Sequence, residues 1–250
     1  MEHRLRITGI IPARYDSSRL AGKPLVDIHG KPMIQLVYEA VHRSRTLDNV
    51  LVATDDDRIF KAVRGFGGEV AMTDARHTCG TERVAEVAER LAADVIVNIQ
   101  GDEPLIDPRM IDECVEVLAS NADAGLSTLI KRIGEEAYED RSVVKAIRDL
   151  RGRAIYFSRS LIPFPRHRVK DFVVFEHIGL YAYRRDVLLR LSKLPQTPLE
   201  KVEGLEQLRA LENGIVIQTA ETSCTGELVS VDTQADLERV RQILSEGVRA

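Results

Sequence analysis

No apolar run in this 250-residue chain approaches the length needed to cross a bilayer. Met1-Glu2-His3-Arg4 leads straight into an apolar segment, with no signal-peptide core ahead of it. Cysteine is scarce. Cys79, Cys114 and Cys224 show neither metal-ligand nor disulfide-framework spacing, which fits a reducing cytoplasm. Basic residues are not in excess, and the net charge of -4 argues against a nucleic-acid-binding surface. Repeats, low-complexity tracts and linkers are missing. So are the usual phosphate-binding signatures: there is no GxGxxG, which excludes a Rossmann dehydrogenase. The basic stretch from Arg14 to Pro24 has Ser17 where a P-loop needs its first glycine, and Pro24 where it needs Ser or Thr after the lysine. These absences leave a soluble cytoplasmic protein, without membrane insertion, long enough to bury a full core.

What is present reads as alternating strands and helices. Residues 7–11, 50–53, 69–72 and 95–99 are strand-like, and 95–99 is central by its unbroken apolar character. Between them Ile34, Val37, Tyr38 and Val41 fall at helical spacing, as do Val84, Val87, Ala88 and Leu91, then Ile111, Cys114, Val115 and Leu118. That order predicts an α/β fold with a doubly wound, mainly parallel sheet. After about residue 121 the pattern changes to strands at 125–131, 143–149, 153–157 and 173–183, with residues 149–152 as a hairpin turn. A last strand at 228–231 precedes a helix bearing Leu237, Val240 and Leu244. The expected organisation is one domain over residues 1–250, with an inserted antiparallel β lobe at about 122–184.

The candidate chemistry sits at strand ends. A first strand empties into a loop carrying Arg14, Arg19 and Lys23, the arrangement by which an α/β protein holds a polyanion such as a nucleoside triphosphate. Gln100-Gly101-Asp102-Glu103-Pro104 follows the central strand and puts Asp102 in the crevice where open sheets bind ligands. Asp232 ends the last strand in the same way, although helix capping by Asp232 or Thr233 is the commoner role for such residues. Two strand-end carboxylates beside a basic loop suit a nucleotide with Mg²⁺, a hard cation that prefers oxygen ligands. Thr81 is placed as the N-cap of the helix marked by Val84. His177 stands alone in an apolar strand, where a structural role is usual. Glu203, Glu206, Gln207 and Arg209 share a helix and read equally as a solvated, salt-bridged face.

Together these motifs resemble the 3-deoxy-manno-octulosonate cytidylyltransferase (CMP-Kdo synthetase) family nearly end to end. The resemblance rests on Ile11-Pro12-Ala13-Arg14 with Arg19-Leu20 and Gly22-Lys23-Pro24-Leu25, then Ala53-Thr54-Asp55-Asp56, Gly80-Thr81-Glu82-Arg83 and Val97 through Pro104. It continues in Tyr156-Phe157-Ser158-Arg159, His177 through Tyr181, Gly204 through Arg209, and Val231-Asp232-Thr233. The Arg159, His177 and Glu206 blocks are particular to this family; the first and fourth are shared more loosely with other sugar nucleotidyltransferases.

The resemblance implies transfer of CMP from CTP to the anomeric hydroxyl of 3-deoxy-D-manno-octulosonate (Kdo), for lipopolysaccharide or capsule assembly. It implies that Pro12, Ala13, Arg14, Arg19 and Lys23 hold the triphosphate, and that Cys79, Gly80, Thr81 and Arg83 lie by the cytidine. Asp102 and Asp232 would bind Mg²⁺, with Lys23 as their catalytic partner. Gln100, Arg159, His177, Glu206 and Gln207 would face the sugar acid. The family acts as a homodimer in which the inserted lobe forms much of the contact. Cys79 stands where the family usually has Ser, Ala21 where Pro is common and Ser230 where Gly is common, and a thiol is a poorer hydrogen-bond donor than a hydroxyl. A cytidylyltransferase for an 8-amino Kdo analogue or a sialic acid stays open as an alternative, as does a catalytically silent CTP-binding regulatory dimer.

Overall fold

Apolar runs bounded by turn residues become buried strands, and the amphipathic segments between them pack as helices. The computed structural model describes residues 4–16, 20–167, 169 and 173–247. The first half runs β1 (Ile7–Ala13), the short β2 (Asp27–Ile28) and β3 (Lys31–Pro32), and α1 (Met33–Val41). It continues with β4 (Asn49–Thr54), α2 (Asp57–Gly65), β5 (Val70–Met72), α3 (Gly80–Glu89), β6 (Val95–Asn98) and α4 (Pro108–Ala119). The second half runs β7 (Leu126–Ile133), β8 (Lys145–Arg148), β9 (Ala154–Ser158), β10 (Val174–Arg184) and α5 (Arg185–Leu191). After these come α6 (Pro198–Glu203), α7 (Gln207–Glu212), β11 (Ile217–Glu221) and α8 (Gln234–Gly247). The chain forms two compact units, Met1–Asp112 with Cys224–Ala250, and Glu113–Ser223.

In the first unit the strand order is β6-β1-β4-β5, every pair parallel, as the βα alternation predicts. From β1 the chain builds outward through β4 and β5, then returns to place β6 on the other side of β1. The sheet therefore has a topological switch point at the carboxyl ends of β1 and β6, where flanking connections diverge and leave a crevice. Buried Ile10, Ile11, Val52, Ile96 and Val97 fill its centre. α8 closes a smaller cluster of Ile28, Met33, Val229, Val231, Leu237 and Val240. Residues 228–231, expected as a strand, form none. The Val231 N–H donates to Asp102 O (2.9 Å), and burial of Val229 and Val231 in that cluster holds the segment without a ladder. α3 starts at Gly80 rather than after Thr81; Thr81 is buried in the first turn, and Glu82 takes the Thr78 N–H (2.7 Å) ahead of it.

The second unit is the expected antiparallel part, with β10 paired to β7 and β8, and β8 to β9. β11 adds to β7 in parallel. The β8–β9 hairpin turns at Gly152, whose φ of 79° lies in the left-handed region that glycine enters without penalty. α6 and α7 are locked by a buried ion pair: Arg209 Nε donates to Glu200 Oε2 (2.8 Å), and its Nη2 donates to the other oxygen. Glu200 also takes the Thr197 N–H as part of a capping box. Glu203, Glu206, Gln207 and Arg209 do not share one helix as expected: Glu203 ends α6, and Glu206 is at the N-cap of α7. Gln207 and Arg209 are buried, while Glu203 is half-buried and Glu206 exposed, so only part of the expected solvated face is solvated.

Burial pushes the Glu200 carboxyl up, but the Arg209 bonds and the Thr197 N–H outweigh it and hold its pKa below the ordinary value. A carboxylate so held stabilises the fold fully above its unfolded pKa, about 4.3. That contribution is lost as pH falls through the folded value. Glu200→Ala strands Arg209 and should cost about 3–5 kcal/mol. Urea unfolding at pH 7 and pH 4 is the check, with the difference between variant and parent shrinking at the lower pH.

Candidate active site

The crevice at the switch point is a cleft of about 410 Å³, lined by Pro12, Ala13 and Arg14 from the end of β1, by Lys23, by Gln100 and Asp102 after β6, and by Asp232. Strand geometry explains the convergence. β1 and β6 are paired in register, Ile7 with Val95 through Ile10 with Asn98, so the residues that follow each strand emerge side by side. Gly101 makes this possible: a Cβ there would lie 2.7 Å from the Pro12 carbonyl oxygen, a backbone atom that cannot swing away. Gly80 packs on the same residue, with its absent Cβ 3.3 Å from Pro12 Cγ. The turn expected beside the cytidine thus abuts the segment expected at the triphosphate.

Lys23 follows Gly22, whose φ of 63° reverses the chain, and Gly22 N–H donates to Tyr15 O (3.2 Å) to close the loop. The Tyr15 ring is covered by Arg58, whose guanidinium carbon lies 3.2 Å from the ring centroid. Lys23 Nζ donates to Asp102 Oδ2 (2.7 Å) and to Asp232 Oδ1 (2.9 Å). Burial alone would lower the Lys23 pKa, but these two carboxylates more than offset it and raise it, so the side chain is an ammonium at neutral pH. Thr233 and Asp236 take the capping role at α8: Asp236 accepts the Thr233 N–H (2.7 Å) and Thr233 Oγ1 accepts the Asp236 N–H (3.3 Å). Asp232 is thereby left to point at Lys23.

Two carboxylates converging on one cation are a hard-oxygen donor set. No group of three His, Cys, Asp or Glu side chains suited to a metal occurs among the described residues. A metal held by Asp102 and Asp232 would complete its shell with water and phosphate oxygens, which is the habit of Mg²⁺. Arg14 supplies an anion donor as well: its Nη2 is buried and has no partner among the described residues. Arg19 lies outside the described residues.

Arg83 is wholly buried, bonding Thr73 Oγ1 and Asp55 Oδ2 (2.7 Å), so it ties α3 to the ends of β4 and β5 and has no exposed surface. Cys79 is half-buried at the N-cap of α3 and makes no capping bond. Asp16 and Pro24, from within the basic stretch, and Met33 of α1 also line the cleft, and none was singled out as a site residue.

The residues expected at the sugar, Gln100 excepted, belong to the second unit. Arg159 follows β9; its Nε donates to Glu203 O (3.0 Å) and its Nη1 to Arg141 O (3.1 Å), while its own N–H goes to Glu203 Oε2 (3.0 Å). Lys145, fully buried, holds the Arg159 carbonyl (3.2 Å) together with those of Val143 (3.0 Å) and Asp140. Nη2 of Arg159 has no protein partner among the described residues. Glu206 sits at the N-cap of α7, which packs on β9. Gln207 Nε2 is buried without a partner among the described residues. His177 lies mid-strand in β10, with burial pushing its pKa down to about 3, so it is neutral near pH 7.

A family model described as cytidylyltransferase matches residues 8–223. A 3-deoxy-manno-octulosonate cytidylyltransferase of Geobacter sulfurreducens is 51% identical over 251 residues, which is 96% of this chain and 100% of that one. The protein of the same name from Fusobacterium nucleatum is 48% identical over 97% of this chain and 98% of its own length. Among solved structures, a CMP:2-keto-3-deoxy-manno-octonic acid synthetase complexed with CTP is similar at a TM-score of 0.92 and 44% identity, covering 97% of this chain and 99% of that one.

Gly101→Ala forces its Cβ onto the Pro12 carbonyl. The expected cost is about 1–3 kcal/mol of stability, seen as a lower melting temperature. Gly30→Ala, at a glycine with open space around it but a φ of 84°, is the control for backbone strain without a clash.

Proposed function

The chain belongs to the 3-deoxy-manno-octulosonate cytidylyltransferase family, and we propose that it transfers CMP from CTP to the anomeric hydroxyl of Kdo, releasing pyrophosphate. The observation that carries the site assignment is Lys23 bridging Asp102 and Asp232 inside the switch-point cleft. The hydroxyl oxygen of Kdo bonds to the α-phosphorus of CTP. The bond from that phosphorus to the oxygen bridging the β-phosphate breaks, pyrophosphate leaves with the electron pair, and the hydroxyl proton passes to solvent. Such a displacement needs positioning and charge neutralisation more than a dedicated base. Arg14 offers the triphosphate a guanidinium nitrogen with no partner among the described residues, and Lys23 supplies a fixed positive charge where negative charge builds. The Gly80-Thr81 turn, packed on Pro12, borders the cytidine, with buried Arg83 bracing it from behind.

Asp102 and Asp232 are the residues that would hold Mg²⁺, which when bound screens the triphosphate and makes the sugar hydroxyl more acidic. Arg159 Nη2 and Gln207 Nε2, both donors without a protein partner among the described residues, suit the carboxylate and hydroxyls of the sugar acid. Glu206 and His177 are assigned to the sugar with them, while Gln100 lines the cleft of the first unit. The exposed Leu150, Ile155 and Val202 of the second unit suit a homodimer contact. No described helix is long and apolar enough to cross a membrane, and a cytoplasmic role in lipopolysaccharide or capsule assembly accords with the family.

Pyrophosphate release with CTP and Mg²⁺, offering Kdo, its 8-amino analogue and N-acetylneuraminate in parallel, is the primary test. Kdo alone should support turnover; release only with another sugar would move the specificity, and CTP binding without any release would favour a regulatory protein. Asp102→Asn should lower kcat by two or more orders of magnitude with the melting temperature nearly unchanged, and calorimetry should show weakened Mn²⁺ binding in the presence of CTP. Near-normal turnover in that variant would end the metal assignment.

A further inference from the structure

Among the described residues the His177 ring makes one hydrogen bond, its Nε2 lying 3.0 Å from Thr128 Oγ1. Thr128 is fully buried on β7, and its hydroxyl lies 2.9 Å from both Ile178 O and Leu180 O. Both carbonyls reach it because the β10–β7 pairing is irregular between Ile178 and Tyr181. A threonine hydroxyl carries a single hydrogen. If that hydrogen pointed at His177, the oxygen's lone pairs would face two carbonyl oxygens at 2.9 Å with nothing between them. The hydrogen therefore goes to the carbonyls, and Oγ1 accepts from His177. That bookkeeping leaves one protonation pattern for a neutral ring: hydrogen on Nε2, lone pair on Nδ1.

The ring is also held in place. Phe157 meets it edge-on with centroids 4.9 Å apart, and Tyr181 lies at 5.4 Å. These walls supply no charge to stabilise an imidazolium, in keeping with the depressed pKa. Among the described residues Nδ1 has no protein partner.

We propose that Thr128 is a positioning residue that fixes His177 as the neutral Nε2–H tautomer, so that Nδ1 accepts a hydrogen bond from a hydroxyl of the sugar acid. The second half of this rests on His177 facing the sugar; the tautomer does not. A ring locked this way discriminates by accepting, whereas a protonated or Nδ1–H ring would donate to the same position. No carboxylate or other acceptor-only group of the substrate would be tolerated opposite Nδ1, because two lone pairs would meet.

Two-bond ¹H–¹⁵N correlation spectra of the intact protein labelled with ¹⁵N-histidine provide the direct readout, with the His177 signal identified by its loss in His177→Asn. The parent should show a single Nε2–H tautomer, unchanged in Thr128→Ser and mixed in Thr128→Val, which has the same shape without the hydroxyl. Thr128→Val should raise the KM for Kdo about tenfold, the weight of one hydrogen bond, with the KM for CTP unchanged and Thr128→Ser near the parent. An Nδ1–H or mixed spectrum in the parent would overturn the proposal whatever the kinetics. A single Nε2–H tautomer together with an unaltered Kdo KM in His177→Asn would instead remove His177 from the sugar site and, with it, the proposed acceptor role.

Discussion

The ammonium of Lys23 between Asp102 and Asp232 is the interaction on which the first unit's site depends. Two carboxylates brought to the mouth of one cleft repel each other, and the cation that joins them relieves that repulsion while keeping both aimed at one point. Its anchors come from three separate places in the chain: a glycine-turned loop after β1, the turn after β6, and the segment before α8. Each is locked by a different local device. Gly22 reverses the loop, Gly101 lets the β6 turn lie against Pro12, and the Thr233–Asp236 capping box holds the start of α8 with Asp232 bonded to Lys23. The nucleotide–metal site proposed for this cleft would need little else, because charge placement does most of the chemistry of phosphoryl transfer.

The second unit, where the sugar acid is proposed to bind, keeps several polar side chains buried or half-buried. It does so by assigning most hydrogen-bonding capacity to protein partners and leaving single atoms over. Arg159 spends Nε and Nη1 on carbonyls and keeps Nη2; Lys145 and Glu203 hold the backbone on which that geometry rests. Gln207 keeps Nε2, and His177 keeps one ring nitrogen. Groups already oriented by the protein lose little conformational freedom on binding. The Glu200–Arg209 pair, buried between α6 and α7, keeps the helix that carries Gln207 from shifting.

Some of this was legible at the level of single residues. The βα alternation and the apolar strands announced the parallel sheet, because burial on both faces writes itself into the sequence as uninterrupted hydrophobicity. Arg14, Lys23 and Asp102 were identifiable by their positions at strand ends. Other residues read differently once folded. Thr81 looked like a cap but lies inside the first turn, and residues 228–231 looked like a strand but have a single backbone bond to the loop at Asp102. Arg83 sat in a motif expected at the ligand yet is sealed behind it, and Gln207 and Arg209 sat on a seemingly solvated helix yet are interior.

By itself the sequence determined the element order, the location of the basic loop and strand-end carboxylates, and membership of the family, since these depend on residue type and local spacing. Only the tertiary structure decided which groups meet. Lys23 is 79 residues from Asp102 and 209 from Asp232, and Thr128 is 49 from His177. Local periodicity carries no information across such separations. Strand order, register and the fit of glycine against backbone set those contacts, and with them which polar atoms are satisfied by protein and which are left for a ligand.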